Sequence, residues 1–353
     1  MQPWSPHLGR ARHEAAGRLL YARPVVTVND AAVNDDRLLP VLCLPGPTAS
    51  GKTDLAIHLS QKHPFEIVSV DSAQVYRHMD IGTAKPDAAT LQSAPHALID
   101  IVDPWQAYSA SRFISDADAE IKRVHECGKI PLLAGGTMLY YRALWDGLSD
   151  LPSSDPAVRE RLEGIAIAEG SQALYEKLAA IDPDSAARIH RNDPQRILRA
   201  LEVYEIAGVT LSSLQNRKGR EHRYDFYNLA LFPHDRKKLH QRIALRFELM
   251  LEAGFEQEVQ ALMENPAMHS ELPSMRCVGY RQMWQYLSGD IDRSQMIDKG
   301  VAATRQLAKR QITWLRSMEN CRMIDPFTET DKLEDDTLKA WLSQALVKLK
   351  QTG

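Results

Sequence analysis

The chain has 353 residues, 44% of them hydrophobic and 25% charged, with a formal net charge of −3. That length allows a large core and about two domains, and that balance excludes a disordered polyelectrolyte. Cys43, Cys127, Cys277 and Cys321 form no C-x-x-C pair, which excludes a disulfide framework and a structural zinc and fits the reducing cytoplasm. No apolar run reaches the roughly twenty residues that cross a bilayer, so no membrane association is expected.

Residues 1–37 carry four arginines and one glutamate before Asn29, without the apolar core of a secretory signal, and read as an N-terminal extension expected to be disordered. The first strand is Val41–Leu44. It runs into Gly46-Pro47-Thr48-Ala49-Ser50-Gly51-Lys52-Thr53, which fits the phosphate-loop pattern G-x-x-x-x-G-K-[ST], and Asp54–Leu59 continues as helix. Two glycines let the backbone turn successive N–H groups toward an anion, and the helix N-terminus adds partial positive charge. Lys52 is placed to reach the outer phosphates, and the Thr53 hydroxyl to sit on Mg²⁺. Alone, such a loop does not say which phosphate compound it holds, nor whether any phosphoryl group moves.

Phe65–Val70 reads as a second buried strand delivering Asp71 at its C-terminal end, the edge where parallel α/β sheets bind ligands. Asp71-Ser72-Ala73-Gln74 then turns, and Asp80–Pro86 forms a loop. Ala97–Val102 is a third candidate strand. His96, just before it, is open between anion contact and a structural role. Ser111–Glu126 is helical in pattern, with Gly128 to end it. A fourth strand, Ile130–Ala134, leads into Gly135-Gly136-Thr137, where glycines permit close approach and Thr137 offers a hydroxyl. Repeated β-α units with their loops on one edge predict an α/β fold with a P-loop NTPase-like parallel sheet.

From Leu151 the pattern becomes helical, and strand character returns only at Phe226–Phe232. This predicts a core over 38–150, an inserted helical domain over 151–226, a return to the core with helices over 227–326, and a peripheral helix over 327–353. Within the insertion Ile197, Leu201 and Tyr204 share a helix face, and Arg196 and Arg199, three apart, are expected to reach one phosphate groove. Two stretches are basic: residues 186–223 hold eight Lys/Arg against four Asp/Glu, and 276–316 eight against three. Tyr280, Met283, Trp284 and Leu287 form a core stripe at helical spacing. Ile297, Val301, Thr304 and Ala308 read as the inner face of the last long helix. Beside that face Arg305, Lys309 and Arg316 fall within about forty degrees of one another, as suits a nucleic-acid backbone.

Taken together, Gly46–Thr53, Asp71–Gln74, Gly135–Thr137, Asn192–Arg199, Arg276–Arg281 and Lys309–Arg316 closely resemble the bacterial tRNA dimethylallyltransferases, in order and with compatible spacing from Leu42 to Met318. The resemblance implies transfer of a dimethylallyl group from dimethylallyl diphosphate to the exocyclic amine of the adenosine on the 3′ side of the anticodon, in the anticodon stem-loop of tRNA. It implies Asp71 as base, Thr137 beside it, and Lys52 and Arg246 on the departing diphosphate. RNA contacts are implied at Asp71, Ser72, Ala73, Gln74, Thr137 and Arg159; at Gln195, Arg196, Ile197, Leu198 and Arg199; at Arg276, Cys277, Val278, Gly279, Tyr280 and Arg281; and at Lys309, Arg310, Gln311, Ile312, Thr313, Trp314, Leu315 and Arg316. A cytoplasmic monomer that binds no DNA is expected. Two other readings use the same loop: an ATP-dependent kinase of a small metabolite or nucleoside, and an RNA-binding protein gated by nucleotide without covalent chemistry.

Overall fold

The structure, a computed structural model, describes residues 38–147, 151–215, 224–329 and 336–352. The expectation for residues 1–37 therefore falls outside the described residues, as do four of the eight cations in the first basic stretch, at 217, 218, 220 and 223.

In chain order the first half holds β1 (Leu39–Pro45), α1 (Lys52–Lys62), β2 (Phe65–Val70), α2 (Ala88–Ser93), β3 (His96–Ala97), α3 (Ala110–Glu126), β4 (Ile130–Gly135) and α4 (Met138–Asp146). Helices α5 (Pro156–Glu169), α6 (Ser171–Ile181), α7 (Pro183–Arg188), α8 (Pro194–Ala207) and α9 (Leu211–Gln215) follow. The chain then returns through β5 (Tyr224–Leu231), α10 (Arg236–Glu252), α11 (Phe255–Met263), α12 (Tyr280–Leu287), α13 (Arg293–Arg316), β6 (Cys321–Ile324) and α14 (Asp336–Thr352). The six strands form one parallel sheet in the order β3-β2-β4-β1-β5-β6.

Alternation along the strands divides the sheet's two faces. Val41, Cys43, Val68, Val70 and Leu133 pack against α3, α4, α10 and α13. Leu42, Leu44, Ile67 and Leu132 face α1 and α14. Each fully buried aliphatic side chain stabilises this sandwich by about 1.5–3 kcal/mol before the entropy of ordering is set against it. The C-terminal helix is not peripheral as expected: Leu338, Leu342, Ala345 and Leu349 are buried in that second layer. A further cluster joins Val75, Tyr76 and Met79 to Phe247, Phe255, Tyr280, Met283 and Met296. The insertion has a core of its own around Leu162, Leu174, Leu178, Ile197 and Leu201. All described residues fall in one compact unit.

Three local expectations are corrected. The Ala97–Val102 run is not a strand: β3 stops at Ala97, because Leu98 and Asp100 take positive φ of 62° and 56°, and Val102 forms only a single bridge with Tyr76. Strand β6 went unpredicted because it is four residues long and is stabilised by pairing with β5 rather than by its own pattern. Tyr204 does not share the buried face of Ile197 and Leu201 but is 37% exposed.

Candidate active site and RNA-facing surface

The C-terminal ends of β1, β2 and β4 open into a cleft of about 630 Å³. Its floor is the phosphate loop. Ala49 holds a left-handed backbone at φ 61°, and Gly46 N–H donates to the Gly135 carbonyl at 3.3 Å, tying the loop to the next strand end. The Lys52 ammonium donates to the Pro47 carbonyl at 2.7 Å. Burial pulls Lys52 down to about 8, with the charge of Asp71 opposing that shift and Arg246 adding to it. Ser50 Oγ is buried and has no hydrogen-bond partner among the described residues. A buried donor of this kind on a phosphate loop suits an anion acceptor.

Asp71 stands at the end of β2, where its Oδ1 accepts from Ala73 N–H at 2.9 Å. Thr137, after β4, is held against the same turn: its Oγ1 accepts from Ser72 N–H at 2.9 Å and donates to Ser72 Oγ at 3.2 Å. Arg246 reaches in from α10 and donates to the Thr83 carbonyl at 3.4 Å. Burial holds its guanidinium below its usual range, against the pull of Asp71's charge. Thus Lys52, Asp71, Thr137 and Arg246, more than 190 positions apart at the extremes, line one cleft. Gln74 lines it too, accepting from Ser69 Oγ at 3.0 Å. Cys277 faces the same space, its thiol pushed up to about 12 by burial first and Asp71's charge second. Burial holds the His96 imidazole below its usual range, against the raising effect of the Ala94 carbonyl, which its Nδ1 contacts at 2.7 Å.

The resemblance-derived RNA residues separate into groups. Arg276, Cys277, Val278, Gly279 and Tyr280 line the cleft, with Tyr280 itself fully buried, and Arg281 is exposed. In α13, Lys309, Thr313 and Arg316 are exposed, and Arg310 and half-buried Trp314 border the cleft. Ile312 and Leu315 belong to the core beneath. Gln311 is also buried: its Oε1 accepts from Thr48 N–H at 2.9 Å and its Nε2 donates to the Gly136 carbonyl at 2.8 Å. Its side chain serves the phosphate loop rather than an outer surface. In the insertion Gln195 and Arg196 are exposed, whereas Ile197 and Leu198 are core. The expectation that Arg199 shares a phosphate groove with Arg196 is corrected, because Arg199 is committed inward. It donates to Glu202 at 2.8 Å and to the Pro152 carbonyl at 2.7 Å, while Arg196 pairs with Asp193 at 3.4 Å. Half-buried Arg159 pairs with Glu163 at 3.1 Å.

Two residues that sequence reasoning missed hold the elements of the cleft in place. Glu258 of α11 accepts from the N–H groups of Asp80 at 2.8 Å, Ile81 at 2.7 Å and Gly82 at 3.1 Å, and from Tyr280 Oη at 2.5 Å. One carboxylate therefore binds the loop that presents Thr83 to Arg246 and anchors the Arg276–Arg281 turn. Arg242 Nε donates to the Ala49 carbonyl at 3.0 Å, closing the phosphate loop from α10. No local motif marks either residue, and in both the backbone partners lie 176 or more positions away.

A family model described as IPP transferase matches residues 74–318, and one described as isopentenyl transferase matches 40–101. The chain is similar to a protein of Alkalilimnicola ehrlichii named tRNA dimethylallyltransferase, 58% identical over 286 residues that cover 81% of this chain and 90% of that one. The chain belongs to the IPP transferase family. Among solved structures of IPP transferases, the tRNA isopentenylpyrophosphate transferase of Bacillus halodurans aligns with a TM-score of 0.62 at 34% identity, over 88% of this chain and 97% of that one. A eukaryotic dimethylallyltransferase acting on tRNA aligns with a TM-score of 0.72 at 28% identity, over 86% of this chain and 77% of that one. As an IPP transferase the chain has the α/β fold expected of it, and no helix among the described residues is long and apolar enough to cross a membrane.

Proposed function

We propose that the protein transfers the dimethylallyl group of dimethylallyl diphosphate to the N6 amine of the adenosine 3′ to the anticodon in a tRNA anticodon stem-loop, releasing diphosphate. The observation that carries this reading is the shared cleft, which sets Lys52 and Arg246 beside a phosphate loop and Asp71 with Thr137 at the neighbouring strand ends. The names of the relatives support prenyl transfer over the kinase and gated-binding readings.

An exocyclic adenine amine is a weak nucleophile, because its lone pair is delocalised into the ring. The cleft therefore has to help both the leaving group and the attacking nitrogen. Lys52, Arg246 and the loop's N–H groups stabilise negative charge as it develops on the departing diphosphate, a role that preorganised donors fill without reorganising. The allylic carbon then takes on positive character. Asp71 receives the amine proton: Oδ1 is fixed by Ala73 N–H, while Oδ2 has no hydrogen bond among the described residues. Thr137 keeps the Asp71-Ser72 turn in place through its two bonds to Ser72. The target adenosine reaches Asp71 only if it is flipped out of the loop stack.

The donor set fits a magnesium ion shared with a diphosphate. Thr53 offers one hydroxyl at the cleft, and no cluster of three or more acidic, His or Cys side chains among the described residues builds a protein-only cage. Bound there, Mg²⁺ would supply charge neutralisation on the leaving group, with Thr53 as its protein ligand. A cytoplasmic location suits the four free cysteines, and we read the protein as a monomer. The direct test is incubation with dimethylallyl diphosphate and an anticodon stem-loop RNA, followed by mass spectrometry of digested nucleosides. We expect one N6-dimethylallyl adenosine per RNA, and none when that adenosine is replaced by guanosine. Labelled phosphate transferred from ATP to a small acceptor, with no prenylated nucleoside, would sink the proposal.

A further inference from the structure

The Pro47–Thr48 peptide unit is held from both sides. Its carbonyl accepts from the Lys52 ammonium at 2.7 Å, and its N–H donates to Gln311 Oε1 at 2.9 Å. The other end of the same Gln311 amide donates at 2.8 Å to the carbonyl of Gly136, the residue immediately before Thr137. The fit is close, since a Cβ at Gly136 would lie 2.5 Å from Gln311 Nε2. Gln311 itself is 7% exposed on α13, with Arg310 at the cleft and Lys309 on the outside as its neighbours. A buried amide with donor and acceptor both satisfied, on two separate loops, has its orientation dictated by them.

We infer that Gln311 is a positioning residue that orients the Pro47–Thr48 peptide, and through it the Lys52 ammonium, while holding the Thr137 turn in register with the phosphate loop. The leaving-group side and the acceptor side of the centre are thus fixed to one helix. A corollary is that Thr48 N–H faces Gln311 and does not serve as a phosphate donor in this arrangement. The inference rests on the diphosphate reading of the loop.

Gln311→Met keeps the length and bulk of the side chain and removes both hydrogen bonds. The test measures the affinity of the full-length protein for magnesium diphosphate by calorimetry, and its affinity for anticodon stem-loop RNA without diphosphate. The expected result is about a tenfold loss of diphosphate affinity, as the ammonium loses its fixed carbonyl. RNA affinity should stay within about twofold, since the cations on the outer face of α13 are untouched. Equal loss of both affinities would mean that α13 had merely collapsed, and would overturn the inference. So would wild-type diphosphate affinity. If Gln311→Met does not fold, Gly136→Ala displaces the same amide from the opposite side, and the same outcomes decide. A wild-type protein that binds no diphosphate would instead remove the reading of the loop on which the inference stands.

Discussion

The cleft and the helical insertion both hold arginines within reach of acidic residues, and they treat the charge in opposite ways. In the insertion Arg199 ends on the buried carboxylate of Glu202, which Ser154 Oγ and Asp155 N–H also hold. Burial works against that carboxylate, yet the bonds to Ser154 and Arg199 keep it below its usual range. In the cleft Arg246 is enclosed, and its one hydrogen bond among the described residues is a long one to a backbone carbonyl. The charge of Asp71 favours Arg246 without forming an ion pair. A cation that the fold neutralises is structural. One left short of a direct anionic partner is held for an anion from outside.

That contrast can be broken experimentally. Asp71→Ala should lower the single-turnover rate of prenyl transfer at saturating RNA by about 10²–10⁴-fold, the usual range for a general base. An unchanged rate would move the base elsewhere. Arg246→Ala should cost about 10²–10³-fold in kcat/KM for the diphosphate substrate while leaving the melting temperature nearly unchanged, as expected of a group held for transition-state charge. Arg199→Ala should do the reverse: stability falls by about 2 kcal/mol, because Glu202 loses a charged partner in a buried place, and prenyl transfer by the folded fraction stays within about twofold. A catalytic defect without a stability loss would erase the distinction between the two regions. In the free protein Lys52 loses its proton above about 8, so diphosphate affinity should be full below that pH and decline above it. The smallest effect is expected at Lys309→Ala, which should reduce the salt-dependence slope of RNA binding by about one, as for one lost phosphate contact.

The two regions also differ in how far they could be read from sequence. The phosphate loop, Asp71 and Gly135-Gly136-Thr137 are legible because each is a local pattern at a strand end, where backbone conformation and chemistry are encoded within a few residues. The insertion's helices were equally plain, but the role of Arg199 was not, since it depends on Glu202 being buried rather than on the spacing of Arg196 and Arg199. Gln311 was misplaced for a related reason: it sits among cations in sequence and among backbone amides in space. Glu258 carries no signal at all, because its value lies in three N–H groups that the fold brings to it. The run Leu98–Val102 misled because hydropathy reports burial and says nothing of positive φ.

Gly135 shows how little latitude the centre leaves: a Cβ there would lie 2.0 Å from the Val70 carbonyl oxygen, so β2 and β4 can deliver Asp71 and Thr137 side by side only with hydrogen at that position.

The Cys277 thiol has a consequence for selectivity. A prenyl donor is an alkylating agent, and sulfur is ordinarily a better nucleophile than an aromatic amine once it is ionised. Burial and the neighbouring Asp71 push Cys277 up to about 12, which disfavours its thiolate at neutral pH. The same carboxylate that we propose as the amine's base thereby discourages the thiol from giving up its own proton. Under the proposed reaction, the cleft is in this way guarded against prenylating itself.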